Sequence, residues 1–192
     1  MKKLLALVIV ALMAGAAFAQ PGMGVFFSNS SFGDNDTNFD AGFSPFNAYI
    51  VLLDAPVGSV GAYECSLIFS DVNVFVLSAT GANGWTNFGS PTNHIAGFQT
   101  PLPVAGDNTA VLCTVQLLYT AGLAVDISMG GSTPSSFSPA GPGIANGANP
   151  DDLIACFLTS GNPLGGVVAT LNSGGVTATE AHSLTEVKAL FD

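Results

Sequence analysis

Two stretches of strict alternation constrain the fold of this chain more than anything else in it. In Tyr63, Cys65, Leu67 and Phe69 one face is apolar, while Glu64 and Ser66 point the other way. The pattern repeats in Val111, Cys113, Val115, Leu117 and Tyr119, with Thr114 and Gln116 opposite. A period of two is the signature of a strand with one buried face, because successive side chains leave a strand on opposite sides. Further β-rich runs lie between clusters of Gly, Pro, Asn and Ser. They predict strands at Gly24–Ser28, Phe46–Leu53, Ala62–Phe69, Asn73–Ser78, His94–Phe98, Ala110–Tyr119, Ala124–Ser128, Leu153–Leu158 and Val167–Leu171. Many short strands with almost no helical periodicity predict an all-β chain, and the uneven strand lengths favour a β-sandwich with Ig-like topology over a barrel.

Two segments depart from that rhythm. Residues 130–150, GGSTPSSFSPAGPGIANGANP, carry no charge until Asp151 and read as a long loop, either a mobile crossover or a ligand-contacting loop, or else as an irregular strand. At the other departure, Ser183 stands three residues before Glu186, a capping box. Leu184, Val187, Leu190 and Phe191 then share one helical face, predicting a short helix over 184–191. A helix that short is marginal alone in water, so its apolar face needs a surface to dock on.

The start of the chain reads as an export signal. Lys2 and Lys3 precede an apolar run from Leu4 to Ala17, and Ala17-Phe18-Ala19 fits the small-residue cleavage rule. Residues 1–19 are thus expected to be removed, leaving one domain over 20–192 in the periplasm or outside the cell. The run is shorter than the about 20 apolar residues a bilayer span needs, and stable membrane insertion after cleavage is not expected.

Charge then limits the partners. The formal net charge is −10, and without Lys2 and Lys3 it is −12, with Lys188 as the one remaining cation and no arginine. Nucleic acid and phosphate ligands are recognised largely by Lys and Arg, so neither is an expected partner. Charged residues make up 8% of the chain against a usual about 25%. A neutral polar surface of this kind suits contact with a protein or glycan partner, and also self-association.

Candidate sites are few. Asp34, Asp36, Asn38 and Asp40 place side-chain oxygens at every second position in FGDNDTNFDAG, which suits a hard cation such as calcium or a solvated turn. An EF-hand is excluded, since the sixth position is Phe39 and the twelfth Pro45. Trp85 lies in a polar stretch with Asn83, Asn87 and Asn93. There an exposed indole would stack on a sugar while amides bond its hydroxyls; alternatively, a buried indole anchors the loop. Cys65, Cys113 and Cys156 read as three buried thiols or as one bridge, Cys65–Cys113, with a free thiol left over. Such a bridge would be worth about 4 kcal/mol in the chain-entropy model.

Nothing assembles a catalytic set. His94 reads as an outward strand residue, His182 as an exposed flank, and Glu64 as a surface acid without a partner. No G-x-S-x-G elbow occurs. Hydrolase chemistry is the weakest reading, and no cofactor is expected other than the calcium candidate.

The segment SVGAYECSLIFSDVNVFVLSATG, Ser59 to Gly81, resembles the strand pair of cohesin-like modules: a small residue and an aromatic, an alternating strand, an Asp-containing turn, a second strand. FSPFNAYIVL (43–52), the strand at Ala110–Tyr119 and the tail TEVKALFD also resemble a group of secreted bacterial proteins of unknown function. The cohesin resemblance implies a secreted β-sandwich that binds a dockerin. No residues here match a dockerin-contact motif, so it implies no site.

Overall fold

A computed structural model describes residues 20–162 and 164–173. The signal segment over 1–19, His182 and the helix expected over 184–191 lie outside the described residues. Within them the chain forms two mixed sheets packed face to face. The smaller sheet has five strands: β1 (Gly22–Phe26), β3 (Phe46–Leu53), β5 (Val74–Thr80), β8 (Ala110–Tyr119) and β12 (Phe157–Leu158), in the order β12-β1-β3-β8-β5. The larger has eight: β2 (Asn38–Phe39), β4 (Ser59–Phe69), β6 (Thr86–Asn87), β7 (Asn93–Pro103), β9 (Val125–Gly130), β10 (Gly143–Asn146), β11 (Leu153–Ala155) and β13 (Gly165–Leu171).

The alternating stretches carry the core. Tyr63, Cys65 and Leu67 on β4 face Cys113, Val115, Leu117 and Tyr119 on β8, all buried. Each large aliphatic side chain withdrawn from water in this way contributes about 1.5–3 kcal/mol.

β4 organises the larger sheet. β7 runs antiparallel along one edge from Ser59 to Ser66. The other edge is shared end to end: β10 pairs with residues 60–64 and β9 with residues 66–69. The chain therefore leaves β4 at Gly130, makes an excursion over residues 131–142, and returns to the same edge. Gly143–Asn146 is thus a strand, which realises the irregular-strand reading over four residues of the segment 130–150. The expected strand Leu153–Leu158 is in fact two: Leu153–Ala155 pairs in the larger sheet and Phe157–Leu158 in the smaller, with buried Cys156 at the crossing.

Residues 28–45 close one end of the sandwich. Phe39 stacks on Phe46 at 4.7 Å and lies 5.2 Å from Phe27, while Phe32 meets Phe26 edge-on at 5.4 Å. At the far edge of the smaller sheet, a register shift between Val76 and Ser78 interrupts β5. Such a bulge hinders strand addition to an open edge.

Candidate functional site

The outer face of the larger sheet carries a recess. Neighbouring strands place small residues side by side there: Ala62 on β4 pairs with Gly97 on β7 and with Ala145 on β10. Larger side chains rise around this floor, namely Ile95, Phe88, Phe137 and Leu153. They enclose an apolar pocket of about 190 Å³. Phe88 is 77% exposed and Leu153 49%, so the walls are wet in the isolated chain.

Phe137 is held in place by two features. A Cβ on Gly143 would collide with its ring, so the missing side chain lets the ring lie on the strand. The second is Glu64, the neighbour of the floor. The sequence reads Glu64 as a surface acid without a partner, yet it is only 6% exposed. Its Oε1 accepts from Ser135 Oγ at 2.7 Å and from Ser136 N at 2.9 Å, and Oε2 accepts from Ser136 N at 3.1 Å. The excursion 131–142 folds over the carboxylate and satisfies it with neutral donors. Asn93 adds a clamp: its Nδ2 donates to Thr133 O at 2.9 Å, and its Oδ1 accepts from Thr133 N at 2.9 Å. The excursion is thus bonded to the larger sheet at three of its residues, Thr133, Ser135 and Ser136. The physical reason is that β4 directs an acid outward just where the chain must cross it.

Beneath the floor lies a buried polar chain. Trp85 Nε1 donates to Tyr63 Oη at 3.2 Å, and Tyr63 Oη meets His94 Nδ1 at 3.1 Å. His94 Nε2 lies 3.1 Å from Pro91 O. A carbonyl only accepts, so Nε2 carries the proton and Nδ1 accepts from the tyrosine hydroxyl. His94 is fully buried, which corrects its reading as an outward residue. β7 turns Ile95 outward instead. Burial lowers the His94 pKa to about 4 and raises that of Tyr63 well above its usual value. With both ring nitrogens engaged, His94 has no free nitrogen to act as a base.

The residues marked out by sequence fall elsewhere. Trp85 is half-buried, its Nε1 points inward, and Gly81 lies so close to the indole that a Cβ there would clash. Asn83 and Gly84 have φ of 56° and 69°, and Trp85 N donates to Ala82 O at 3.0 Å. That is a turn requiring two left-handed residues, which Asn-Gly supplies. The Asn83 amide donates to Pro101 O at 3.2 Å, and Asn87 Oδ1 accepts from Gly89 N and Ile95 N at 3.0 Å each. In this structure the side chains of Asn83, Trp85 and Asn87 all make contacts that tie loops to strands.

Asp34 and Asp36 lie on one 3-10 turn, Asp34–Thr37. Asp36 Oδ2 accepts from Gly33 N at 3.0 Å. Asn38 Oδ1 turns towards β13, accepting from Thr170 Oγ1 at 3.2 Å and Ser173 Oγ at 2.9 Å. Asp40 is exposed. Among the described residues no three His, Cys, Asp or Glu side chains converge as a metal site. Cys65, Cys113 and Cys156 are all free and buried, with no bridge joining Cys65 to Cys113 in this structure. Burial pushes the Cys113 thiol up to about 11 and that of Cys156 to about 12.

Sequence reasoning passed over the pocket residues Phe88 and Phe137. The signal was there: each is a lone aromatic inside a polar run, NFG and SSFS.

No family model and no curated protein matches the chain. Solved structures do. The sixth cohesin of scaffoldin B from Acetivibrio cellulolyticus, solved in complex with a mutant dockerin, superposes with a TM-score of 0.50 at 8% identity, over 80% of this chain and 99% of that one. A non-cellulosomal cohesin from the archaeon Archaeoglobus fulgidus aligns over 80% of this chain and 90% of its own, at 11% identity and a TM-score of 0.42. The fold is a cohesin-like β-sandwich.

Proposed function

With the cohesin-like sandwich as frame, we propose that this chain is a non-enzymatic protein-interaction module of the periplasm or cell exterior. It engages its partner on the outer face of the larger sheet, at the pocket between Phe88, Phe137 and Leu153. The observation that carries this reading is the pocket itself: an apolar recess of about 190 Å³ beside a phenylalanine that is 77% exposed. Exposed aromatics around a recess are the usual anchors of a protein interface. The solved cohesin that this fold resembles was captured with a protein bound, which agrees with the class of function without naming a partner here.

Charge narrows the partner. The described residues include no lysine or arginine, and Asp151 and Asp152 directly precede the pocket residue Leu153. The complementary surface is therefore an apolar side chain within a neutral or basic setting.

The test is capture from the secreted fraction of the source cells by immobilised protein, in wild-type and Phe88→Asp forms. Phe88 is exposed, so the substitution leaves the melting temperature unchanged. The reading expects one protein to be retained by wild type and lost from Phe88→Asp. Equal retention by both forms would remove the pocket from the interface. A chain that retains nothing and sediments as a monomer at all concentrations would end the interaction reading.

A further inference from the structure

Away from that pocket lies an open trough of about 660 Å³, lined by β1 and β12 of the smaller sheet and by β13 of the larger. Its lining combines apolar surface from Phe26, Phe32, Phe157 and Val167 with two carboxylates, Asp34 and Asp54. Phe26 is buried at its floor, while Val167 is 41% exposed and Phe32 and Phe157 are half-buried, so part of the apolar lining is uncovered by the described residues. Ser173, the last described residue, lines the same trough.

We propose that Leu184–Phe191 of this chain is the occupant. Three observations single it out over a separate partner. The first is tethering. The chain enters residues 174–192 from the trough's own lining, and ten residues separate Ser173 from Leu184. Ten residues reach up to about 33 Å, so the segment meets the trough at an effective concentration in the millimolar range. The second is shape. Leu184, Val187, Leu190 and Phe191 form one apolar stripe by helical spacing, and a helix that short requires an apolar surface. The third is charge. Lys188 is the only lysine or arginine beyond residue 3, and the trough offers it Asp34 and Asp54. On this assignment Asp34, with Asp54, acts as a receptor for the chain's own cation. The inference is independent of the pocket on the other sheet.

Lys188 lies far in sequence from Lys2 and Lys3, the only other lysines, so peptide mapping tells its couplings apart. Carbodiimide coupling of the dilute full chain joins amine to carboxylate wherever the two touch, with loss of water. Peptide mapping should find Lys188 coupled within one molecule to Asp34 or Asp54. Coupling only between molecules, only to an acid away from the trough such as Asp107, or only to the tail's own carboxylates would overturn the proposal. Hydrogen exchange on the full chain gives a second reading that does not depend on the lysine. Leu190→Asp should raise exchange at least tenfold over residues 20–27 and 165–173 and leave β8 unchanged. Identical exchange in the two forms would also overturn it.

Discussion

The acidic segment 28–45 and the neutral segment 131–142 are both long irregular excursions, and they are held by opposite means. The first is rich in carboxylates, yet its grip on the sandwich is the packing of Phe32 on Phe26 and of Phe39 on Phe27 and Phe46. The second has no charge of its own, yet it is built around one: the Glu64 carboxylate beneath it, bonded to Ser135 and Ser136. What decides the anchoring of a crossing segment is the side chain that the strand below directs at it. The charge count of the segment itself is a poor guide.

Substitutions that exchange those anchors sharpen the contrast. Acid should act first and most strongly beneath the neutral segment. The unfolded chain protonates His94 near pH 6.5, the folded chain only near pH 4. Between those values the unfolded state binds more protons. The stability tied to neutral His94 is therefore complete above about pH 6.5 and falls as pH drops, by about 3 kcal/mol in all, levelling off below about pH 4. Urea melts at pH 7 and pH 4 should reveal this loss in wild type and a smaller one in His94→Gln. Equal losses would mean that the carboxylates alone set the acid response.

In the acidic segment the comparable loss comes from an aromatic. Phe39→Ala should cost about 3 kcal/mol, the lower end for a phenylalanine truncation because the ring is only half-buried. Under the neutral segment, Glu64→Ala should cost about 2 kcal/mol, since Ser135 and Ser136 lose a charged acceptor. Amide exchange should then quicken over residues 132–137 while residues 33–40 stay as they were. The smallest effect belongs to the acids that stand out in the sequence. Asp40→Asn should leave the melting temperature unchanged in chelator. The same protein pair in excess calcium tests the ion: a site at Asp34–Asp40 would raise the wild-type melting temperature alone, and coincident curves would reduce the segment to a turn.

These contrasts also explain what was legible. The bounds of the strands at Phe46–Leu53 and Ala110–Tyr119 were legible, and the alternation holds from Cys113 to Tyr119 but breaks at the register shift by Ile50 and Val51, where Leu112 is buried in place of Val111. β10 was hidden, since Gly143, Ile144 and Ala145 are all buried, in part under the excursion, and show no alternation. The pocket was hidden for a related reason. Its floor consists of residues distinguished by small size, and its walls come from Phe88, Phe137 and Leu153, far apart in the chain. Composition marks out polar clusters such as Asp34–Asp40 or Asn83–Trp85–Asn87 instead, because each lies within one short run of the sequence.

The account rests on the outer face of the larger sheet as the place where another protein binds. The direct measurement is the Kd of the captured partner for wild type, for Phe88→Asp and for Phe75→Asp, the last altering an exposed phenylalanine on the smaller sheet. An anchor of this kind is worth at least about 2 kcal/mol, so Kd should rise by about 30-fold or more in Phe88→Asp and stay at the wild-type value in Phe75→Asp. Three equal constants, or a loss confined to Phe75→Asp, would contradict it.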